Sequence, residues 1–284
     1  MFYYILLFCM PIGYCCQNFA LKQYNIKNEK PNTLLFSACT TFIAICFFLV
    51  SSGFDLQFDV RLIPYAMIYG VAYASAWVGT VLALRFGLMA ISNMIISCSL
   101  LFPTVYGIIY GEPITPTFLV ALVLLFTALV LVNLKNKQIG GKFSFKWLAC
   151  VLVALVGNGS CSVAQNMHKR ALGESFKHEF LLIALSISFV LLMTYVLFTS
   201  KNLKQDLKAC APYASLNGLS NAALNLTLAT LIGHIPNTVL YPTNSLLGML
   251  ATFLLAFFHY KERFTKTQYI GYVLGLTSIV LLNL

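Results

Sequence analysis

Charge is what this sequence of 284 residues has least of. It carries 18 basic and 8 acidic side chains, which is 9% of the chain, whereas 60% of its residues are apolar. An average soluble chain has about 25% charged residues. Because a soluble domain of this size needs a charged outer surface, the deficit excludes an ordinary cytosolic enzyme, a disordered protein and a nucleic-acid binder with a basic wet face. The composition indicates a chain whose main solvent is lipid.

The gaps between charges predict where the chain crosses the membrane. A hydrocarbon core about 30 Å thick needs about 20 apolar residues per helix. Charge-free intervals of that length are 1–21, 31–54, 62–84, 86–111, 113–134, 147–168, 180–200, 209–260 and 267–284. The interval 209–260 is long enough for two helices, and the sequence Gly-His-Ile-Pro-Asn at 233–237 is typical of a helix stop and restart. The runs are apolar on every side, which favours helices over barrel strands. The sequence therefore predicts an all-α integral membrane protein with ten transmembrane helices.

The two halves of the sequence resemble each other. Residues 112–134 and 262–284 share 10 identities in 23 ungapped positions. Matching polar residues, at offsets of 148 and 150, are Gln17 with Gln165, Asn18 with Asn166, Lys22 with Arg170, Glu112 with Glu262, and Thr115 with Thr265. Each half would hold five helices, and an odd number inverts the orientation of the second half. The prediction is an inverted repeat, 1–138 and 139–284, an architecture of many secondary transporters.

The end of each half carries a pattern seen in a known family. Residues 84–115 read LRFGLMAISNMIISCSLLFPTVYGIIYGEPIT. With an apolar helix after it, this segment resembles the EamA-type members of the drug/metabolite transporter superfamily. The matching positions are Pro103, Glu112 and Thr115 in the first half, and Glu262, Thr265, Gln268 and Gly271 in the second. The second half departs in having Phe253 where the proline is expected, with Pro242 instead. The resemblance implies a ten-helix transporter with a central cavity lined by helices 1, 3, 4, 6, 8 and 9.

Two polar stripes predict the walls of that cavity. Tyr65, Tyr69, Tyr73 and Trp77 recur every four residues in helix 3, and at offset 148 helix 8 has a tyrosine and then three asparagines. Residues four apart share a helix face. An aromatic wall facing an amide wall suits a neutral or zwitterionic organic solute. The alternative stays open that the aromatics fill the core and the amides bridge helices. The candidate cavity residues are Gln17, Tyr69, Tyr73, Trp77, Asn93, Gln165, Asn217, Asn221, Asn225, Tyr241 and Asn244.

Asp, Glu, Lys and Arg are missing from the middle of every predicted span. A proton-coupled exporter of cationic drugs normally keeps a carboxylate in the membrane, and a buried phosphate clamp needs Lys or Arg there. Glu112 and Glu262 each precede an apolar helix, where a carboxylate meets free N–H groups, so both are predicted to be structural helix starts. No nucleophile, acid–base or metal-ligand constellation is present in the sequence. We therefore expect no enzyme activity, no cofactor and no metal.

These features together predict a secondary transporter. It would export a small neutral or zwitterionic metabolite by alternating access, with the lipid bilayer and the solute as its partners, in the plasma membrane of a prokaryote. A non-transporting membrane assembly subunit or sensor is the alternative. The orientation is left open: 14 of the 18 basic residues lie in loops after odd-numbered helices, which favours termini outside. The family resemblance implies termini inside.

Overall fold

A computed structural model of the chain describes residues 2–28, 31–86, 92, 95–133, 145–173, 175–200, 202–261 and 264–282. This part of the chain is helical and contains no β-strand. The helices of the first half are α1 Phe2–Lys27, α2 Thr33–Ser51, α3 Ile63–Phe86, α4 Leu101–Ile109 and α5 Pro116–Asn133. Those of the second half are α6 Phe145–Leu172, α7 Lys177–Thr199, α8 Leu203–Leu231, α9 Asn237–Leu254 and α10 Lys266–Leu282. A π-helical turn, Leu255–His259, extends α9.

The long apolar interval 209–260 is interrupted at 233–237, where its glycine and proline predicted a break between two helices. Helix α8 ends at Leu231 and α9 begins at Asn237, directly after Pro236. Gly233 in the turn has a φ of 83°, a left-handed conformation that glycine adopts without steric cost. Proline before a helix start is favoured because its missing N–H is not needed there.

The outer surface of the bundle is apolar. Large apolar side chains point away from the protein, among them Phe145 at 83% and Phe198 at 86% exposure. Exposed apolar faces of this extent are typical of contact with lipid. Six helical segments are long and apolar enough to cross a membrane: Phe2–Lys27, Thr33–Ser51, Val60–Ala83, Phe145–Leu172, Lys177–Thr199 and Asn237–His259. Two shorter apolar helices are Ile95–Ile109 and Pro116–Val132.

Helices of one half pack mainly on helices of the other. The closely packed pairs include α3 with α6, α1 with α8, α2 with α8, α3 with α7, α2 with α7, and α5 with α10. Small residues allow the closest approach. A Cβ at Gly79 would lie 2.8 Å from the backbone nitrogen of Ala154, and one at Gly157 would lie 2.7 Å from the carbonyl oxygen of Ala72. Such glycine contacts are a general means by which membrane helices pack. The arrangement brings the polar stripes of α3 and α8 into the interior.

Candidate functional site

The aromatic and amide stripes meet inside the bundle. Tyr69, which is 2% exposed, donates its hydroxyl hydrogen to Asn225 Oδ1 over 2.9 Å. Asn225 in turn donates from Nδ2 to Asn221 Oδ1 at 3.0 Å and to the Asn221 carbonyl oxygen at 2.9 Å. Helix α3 therefore reaches α8 through a tyrosine, and the two predicted walls are joined by a short chain of hydrogen bonds.

The aromatic stripe forms a continuous row of rings along α3. Tyr69 stacks on Tyr73 with centroids 6.0 Å apart, and Tyr73 meets Trp77 edge to face at 6.4 Å. Phe180 from α7 packs edge to face on Tyr69 and stacks on His168 from α6. The row thus continues beyond the stripe that the sequence showed, with one ring each from two other helices.

Two of the predicted residues carry buried polar atoms without a well-formed hydrogen bond. The Nε2 atom of Gln165 forms no hydrogen bond with any described residue, and the hydroxyl of Tyr73 forms none of good geometry, although the side chains of Thr41, Trp77 and Asn221 lie close to it. Both side chains are buried, Gln165 to 3% exposure and Tyr73 to 9%. Buried polar groups are nearly always hydrogen-bonded, because leaving one unpaired costs about 1–3 kcal/mol. These two atoms are therefore suited to bind water or a solute.

Helix α9 supplies the other predicted polar groups. Asn166 Nδ2 of α6 donates to the Tyr241 hydroxyl at 2.6 Å, and that hydroxyl donates to the Ser162 carbonyl at 3.3 Å. Asn244 Oδ1 accepts a hydrogen bond from the Tyr14 hydroxyl of α1 at 2.8 Å. Asn166 and Tyr14 were not among the candidates. Asn166 repeats Asn18 in the half-to-half alignment, which could have marked it, whereas no sequence signal pointed to Tyr14.

The remaining candidates are placed differently. Asn217 donates from Nδ2 to the backbone carbonyl of Gln17 at 2.9 Å, which joins α8 to α1, a closely packed pair. Gln17 thus contributes its backbone to this contact. Asn93 and Glu262 lie outside the described residues.

Glu112 stabilises a helix other than the one that follows it. Its two carboxylate oxygens accept hydrogen bonds from the backbone nitrogens of Asn237 and Thr238, each at 2.8 Å. These are the first residues of α9, in the second half of the chain, whereas the sequence pointed to the start of α5. A carboxylate at this position satisfies free N–H groups and meets the positive end of the helix dipole. Glu112 therefore ties the loop between α4 and α5 to the start of α9.

A cavity of about 520 Å³ opens at this end of the bundle, and we call it the end cavity. Its lining includes Tyr110, Glu112, Asn166, Arg170 and the turn 232–237. The guanidinium of Arg170 lies 3.8 Å from the centre of the Tyr110 ring, a cation–π contact. Asn166 belongs both to this cavity and to the hydrogen bond with Tyr241, so that bond lies at the inner boundary of the cavity.

A second cavity, of about 690 Å³, contains none of the candidate residues. It lies between α3 and α6 and is lined mostly by apolar side chains, including Met67, Val71 and Val153. These three side chains are about half exposed, so the cavity belongs to the outer surface. No group of three or more His, Cys, Asp or Glu side chains that could hold a metal ion occurs in the described parts of the chain.

Comparison with known proteins places the fold but not the activity. No family model and no curated protein matches the sequence. Among solved structures, 28 chains match. One, described only as the crystal structure of a protein, superposes with a TM-score of 0.74 at 12% sequence identity, and the match covers 98% of this chain and 94% of that one. At this identity the likeness shows the fold alone: the chain shares its architecture over almost its whole length with an experimentally determined structure.

Proposed function

We propose that all ten helices cross the membrane as two inverted five-helix repeats. Two cation–π contacts support the repeat. Lys22 Nζ lies 3.6 Å from the ring centre of Tyr260, and Arg170 lies 3.8 Å from that of Tyr110. Lys22 matches Arg170 at offset 148, and Tyr110 matches Tyr260 at offset 150. The same contact therefore occurs twice with the roles of the halves exchanged.

Glycine contacts support the same exchange. A Cβ at Gly70 would lie 2.7 Å from the Ala184 carbonyl oxygen and 2.8 Å from Ile187 Cβ. A Cβ at Gly218, which matches Gly70 at offset 148, would lie 2.7 Å from the Thr40 carbonyl oxygen and 2.6 Å from an isoleucine Cβ three residues later. Gly70 of α3 thus packs against α7, and Gly218 of α8 packs in the same way against α2.

We further propose that the chain is a secondary transporter, an exporter that moves a small neutral or zwitterionic metabolite by alternating access. The observation that carries this proposal is the pair of buried polar atoms without a well-formed hydrogen bond, Gln165 Nε2 and Tyr73 Oη, the second of which lies close to Asn221 of α8. In a lipid-embedded protein such groups are costly unless they face water or a ligand. The interior offers aromatic planes together with amide donors and acceptors, which fits an uncharged polar solute better than an ion.

The first experiment finds a solute. The chain is purified in detergent and its thermal midpoint is measured with neutral amino acids, nucleosides and sugars, because a ligand that binds the folded state raises the midpoint. Solutes that shift it are then tested for flux in proteoliposomes. Asn221→Leu removes an interior amide, so we expect it to abolish flux while the protein still inserts and folds.

A matched control separates loss of the site from loss of an amide. Asn158→Leu makes the same change in α6, where the Asn158 Nδ2 atom donates to the Ala154 carbonyl of its own helix at 3.1 Å. We expect this variant to retain flux. Wild-type flux from Asn221→Leu, or equal loss from both variants, would count against the proposed site.

A non-transporting assembly subunit or sensor is the second candidate. It is favoured by the pairing of interior polar groups with each other, since Tyr69, Asn225 and Asn221 form hydrogen bonds that also serve to hold helices together. This candidate predicts no flux of any solute in the panel from a folded, membrane-inserted protein. Membership of the EamA-type transporters and residence in a prokaryotic plasma membrane are proposals of the same kind, based on the motifs around Pro103 and Glu112.

A further inference from the structure

Two tyrosine–asparagine hydrogen bonds join helices that do not pack closely. Tyr69 of α3 bonds Asn225 of α8 at 2.9 Å, and Asn166 of α6 bonds Tyr241 of α9 at 2.6 Å. Neither α3 with α8 nor α6 with α9 is among the closely packed helix pairs of the described residues. Each bond therefore crosses the interior of the bundle through a long side chain. We call these two hydrogen bonds the bridges.

The bridges lie at the same depth. Tyr69 is six residues from the start of α3, and Tyr241 is four residues from the start of α9, whereas Asn166 and Asn225 are each six residues from the end of their helix. At about 1.5 Å per residue, this places all four residues about 6–9 Å inside one face of the bundle. The face is the one where α6 and α8 end and α9 begins, as the lining of the end cavity shows.

Helix α3 begins at that face as well. The ring of Tyr65, in the first turn of α3, lies 6.4 Å from that of His168, near the end of α6. The side chain of Tyr69 leans towards the start of its helix, because Cα–Cβ bonds in an α-helix point towards the N-terminus. Its hydroxyl, which bonds Asn225, thus lies towards the face at which the end cavity opens.

The order of features along the bundle axis follows from these positions. The end cavity is outermost, the bridges come next, and one helical turn deeper lie Tyr73 and Asn221, which belong to the proposed solute site. Tyr69 and Tyr241 are 2% and 4% exposed, so the bridges are packed in place. The bonds thus separate a cavity at one face from the hydroxyl of Tyr73.

We propose that the Tyr69–Asn225 and Asn166–Tyr241 bridges form the gate that closes the solute pathway at the end cavity. This inference rests on the proposed transport function and adds the residues that control access to its site. The bridges link the closely packed pair α3 and α6 on one side to α8 and α9, which both pack on α1, on the other. Opening requires both hydrogen bonds to break, and removing either hydroxyl therefore raises the population of the open state.

Thiol accessibility tests the gate without any solute. The nine native cysteines are replaced, and Asn221→Cys places a reporter one turn below the bridges. The backbone carbonyl at position 221 still accepts from Asn225 Nδ2, so that side chain keeps an anchor. A second reporter, His234→Cys, lies on the exposed turn that lines the end cavity. Right-side-out and inverted membrane vesicles are treated with the impermeant reagent sulfonatoethyl methanethiosulfonate, and the side that labels His234→Cys identifies the face of the end cavity.

From that side we expect Asn221→Cys to react slowly. Adding Tyr69→Phe or Tyr241→Phe should raise its labelling rate by about threefold to tenfold, the effect of losing one hydrogen bond on an equilibrium. If the bridges act independently, the increases in labelling rate from the two changes should multiply in the double variant. Tyr14→Phe is the matched control. It also removes a tyrosine hydroxyl that bonds an asparagine, Asn244, at 2.8 Å, but this hydrogen bond joins α1 and α9, which are closely packed. We therefore expect the labelling rate of Asn221→Cys to stay unchanged.

Three results would overturn the gate. They are an unchanged labelling rate after both bridges are removed, an equal increase from Tyr14→Phe, and fast labelling of the reporter from this face in the otherwise unaltered protein. Because each bridge is tested by its own Tyr→Phe change, misfolding of one variant leaves the other as the test. Failure of the transport proposal is separately visible. If no solute of the panel gives flux but the labelling rate still depends on the bridges, the transport proposal is contradicted and the gate is retained. If flux is observed but the labelling rate does not depend on the bridges, the gate is contradicted and transport is retained.

Discussion

Replacing Glu112 with glutamine tests how the two halves are joined at the end cavity. The carboxylate accepts one hydrogen bond from the Asn237 nitrogen and one from the Thr238 nitrogen, each at 2.8 Å. Glutamine keeps one acceptor oxygen but loses the charge and puts an amide donor against the second N–H. One charge-assisted hydrogen bond is therefore lost, which costs about 1.5–3 kcal/mol. We expect Glu112→Gln to destabilise the protein by about 2 kcal/mol.

Thermal unfolding in detergent, followed by intrinsic fluorescence, measures this loss. At about 2 °C per kcal/mol for a chain of this size, the apparent midpoint should fall by about 4 °C. A second perturbation reaches the same contact from α4. A Cβ at Gly107 would lie 2.5 Å from the carboxyl carbon of Glu112, so Gly107→Ala must displace the carboxylate from the start of α9. Since that displacement breaks the same hydrogen bonds, Gly107→Ala should lower the midpoint by a similar amount.

The double variant, with Glu112→Gln and Gly107→Ala combined, shows whether the two changes remove the same contact or act separately. If both changes act by removing the Glu112 contact, their combination should cost little more than either alone. Gly248→Ala serves as the control, because the nearest atoms to its added Cβ, on Tyr14, are 3.7 Å away. We expect it to leave the midpoint unchanged or slightly raised. Additive losses from Glu112→Gln and Gly107→Ala, or a Glu112→Gln protein as stable as the wild type, would refute the reasoning.

Three further predictions use the same thermal assay. Gly218→Ala should cost about 1–3 kcal/mol, because its Cβ would press on the α2 backbone, and a neutral result would contradict the close α2–α8 contact. Asn32→Ala should cost about 1–2 kcal/mol, because Asn32 caps α2 by accepting from the Leu35 nitrogen at 3.1 Å and also donates to Ser200 Oγ at 2.7 Å. Asn32→Ser retains an acceptor for the cap, so it should recover part of the lost stability. Hydrogen bonds from Arg61 lower the pKa of Asp59, so its stabilisation is present above the ordinary aspartate pKa and lost as the pH falls through the lowered one. The difference in midpoint between wild type and Asp59→Asn should therefore shrink between about pH 6 and about pH 3, and a pH-independent difference would contradict it.

Much of the helical framework could be predicted from the positions of charged residues and of glycine and proline. Charged side chains avoid lipid, so their gaps coincide with apolar helices, and the turn at 233–237 lies between α8 and α9 as expected. The six helical segments that are long and apolar enough to span a membrane support a membrane protein. Ten spans and the inverted repeat remain proposals, to which the matched cation–π and glycine contacts add support.

The polar stripes were readable for a similar reason, and their partners were not. A period of four residues places Tyr69, Tyr73 and Trp77 on one face of α3 whatever surrounds that helix. That Tyr69 bonds Asn225, or that Asn166 bonds Tyr241, depends on which helices meet across the interior, and neighbouring positions in the sequence carry no such information. Tyr14 shows the limit most clearly, because the other three tyrosines of α1 lie ten or more residues away and form no stripe with it.

Glu112 shows both kinds of information in one residue. Its position between two apolar helices predicted a carboxylate at a helix start, because free N–H groups and the helix dipole attract a negative charge at any such start. Local sequence favoured the helix that comes next in the chain, α5. In the folded protein the loop after α4 lies beside the start of α9, and the carboxylate binds there. Helix formation and the preference for a cap follow from short-range chemistry, whereas the choice of partner depends on contacts between residues more than a hundred positions apart, which are made when the two halves pack together.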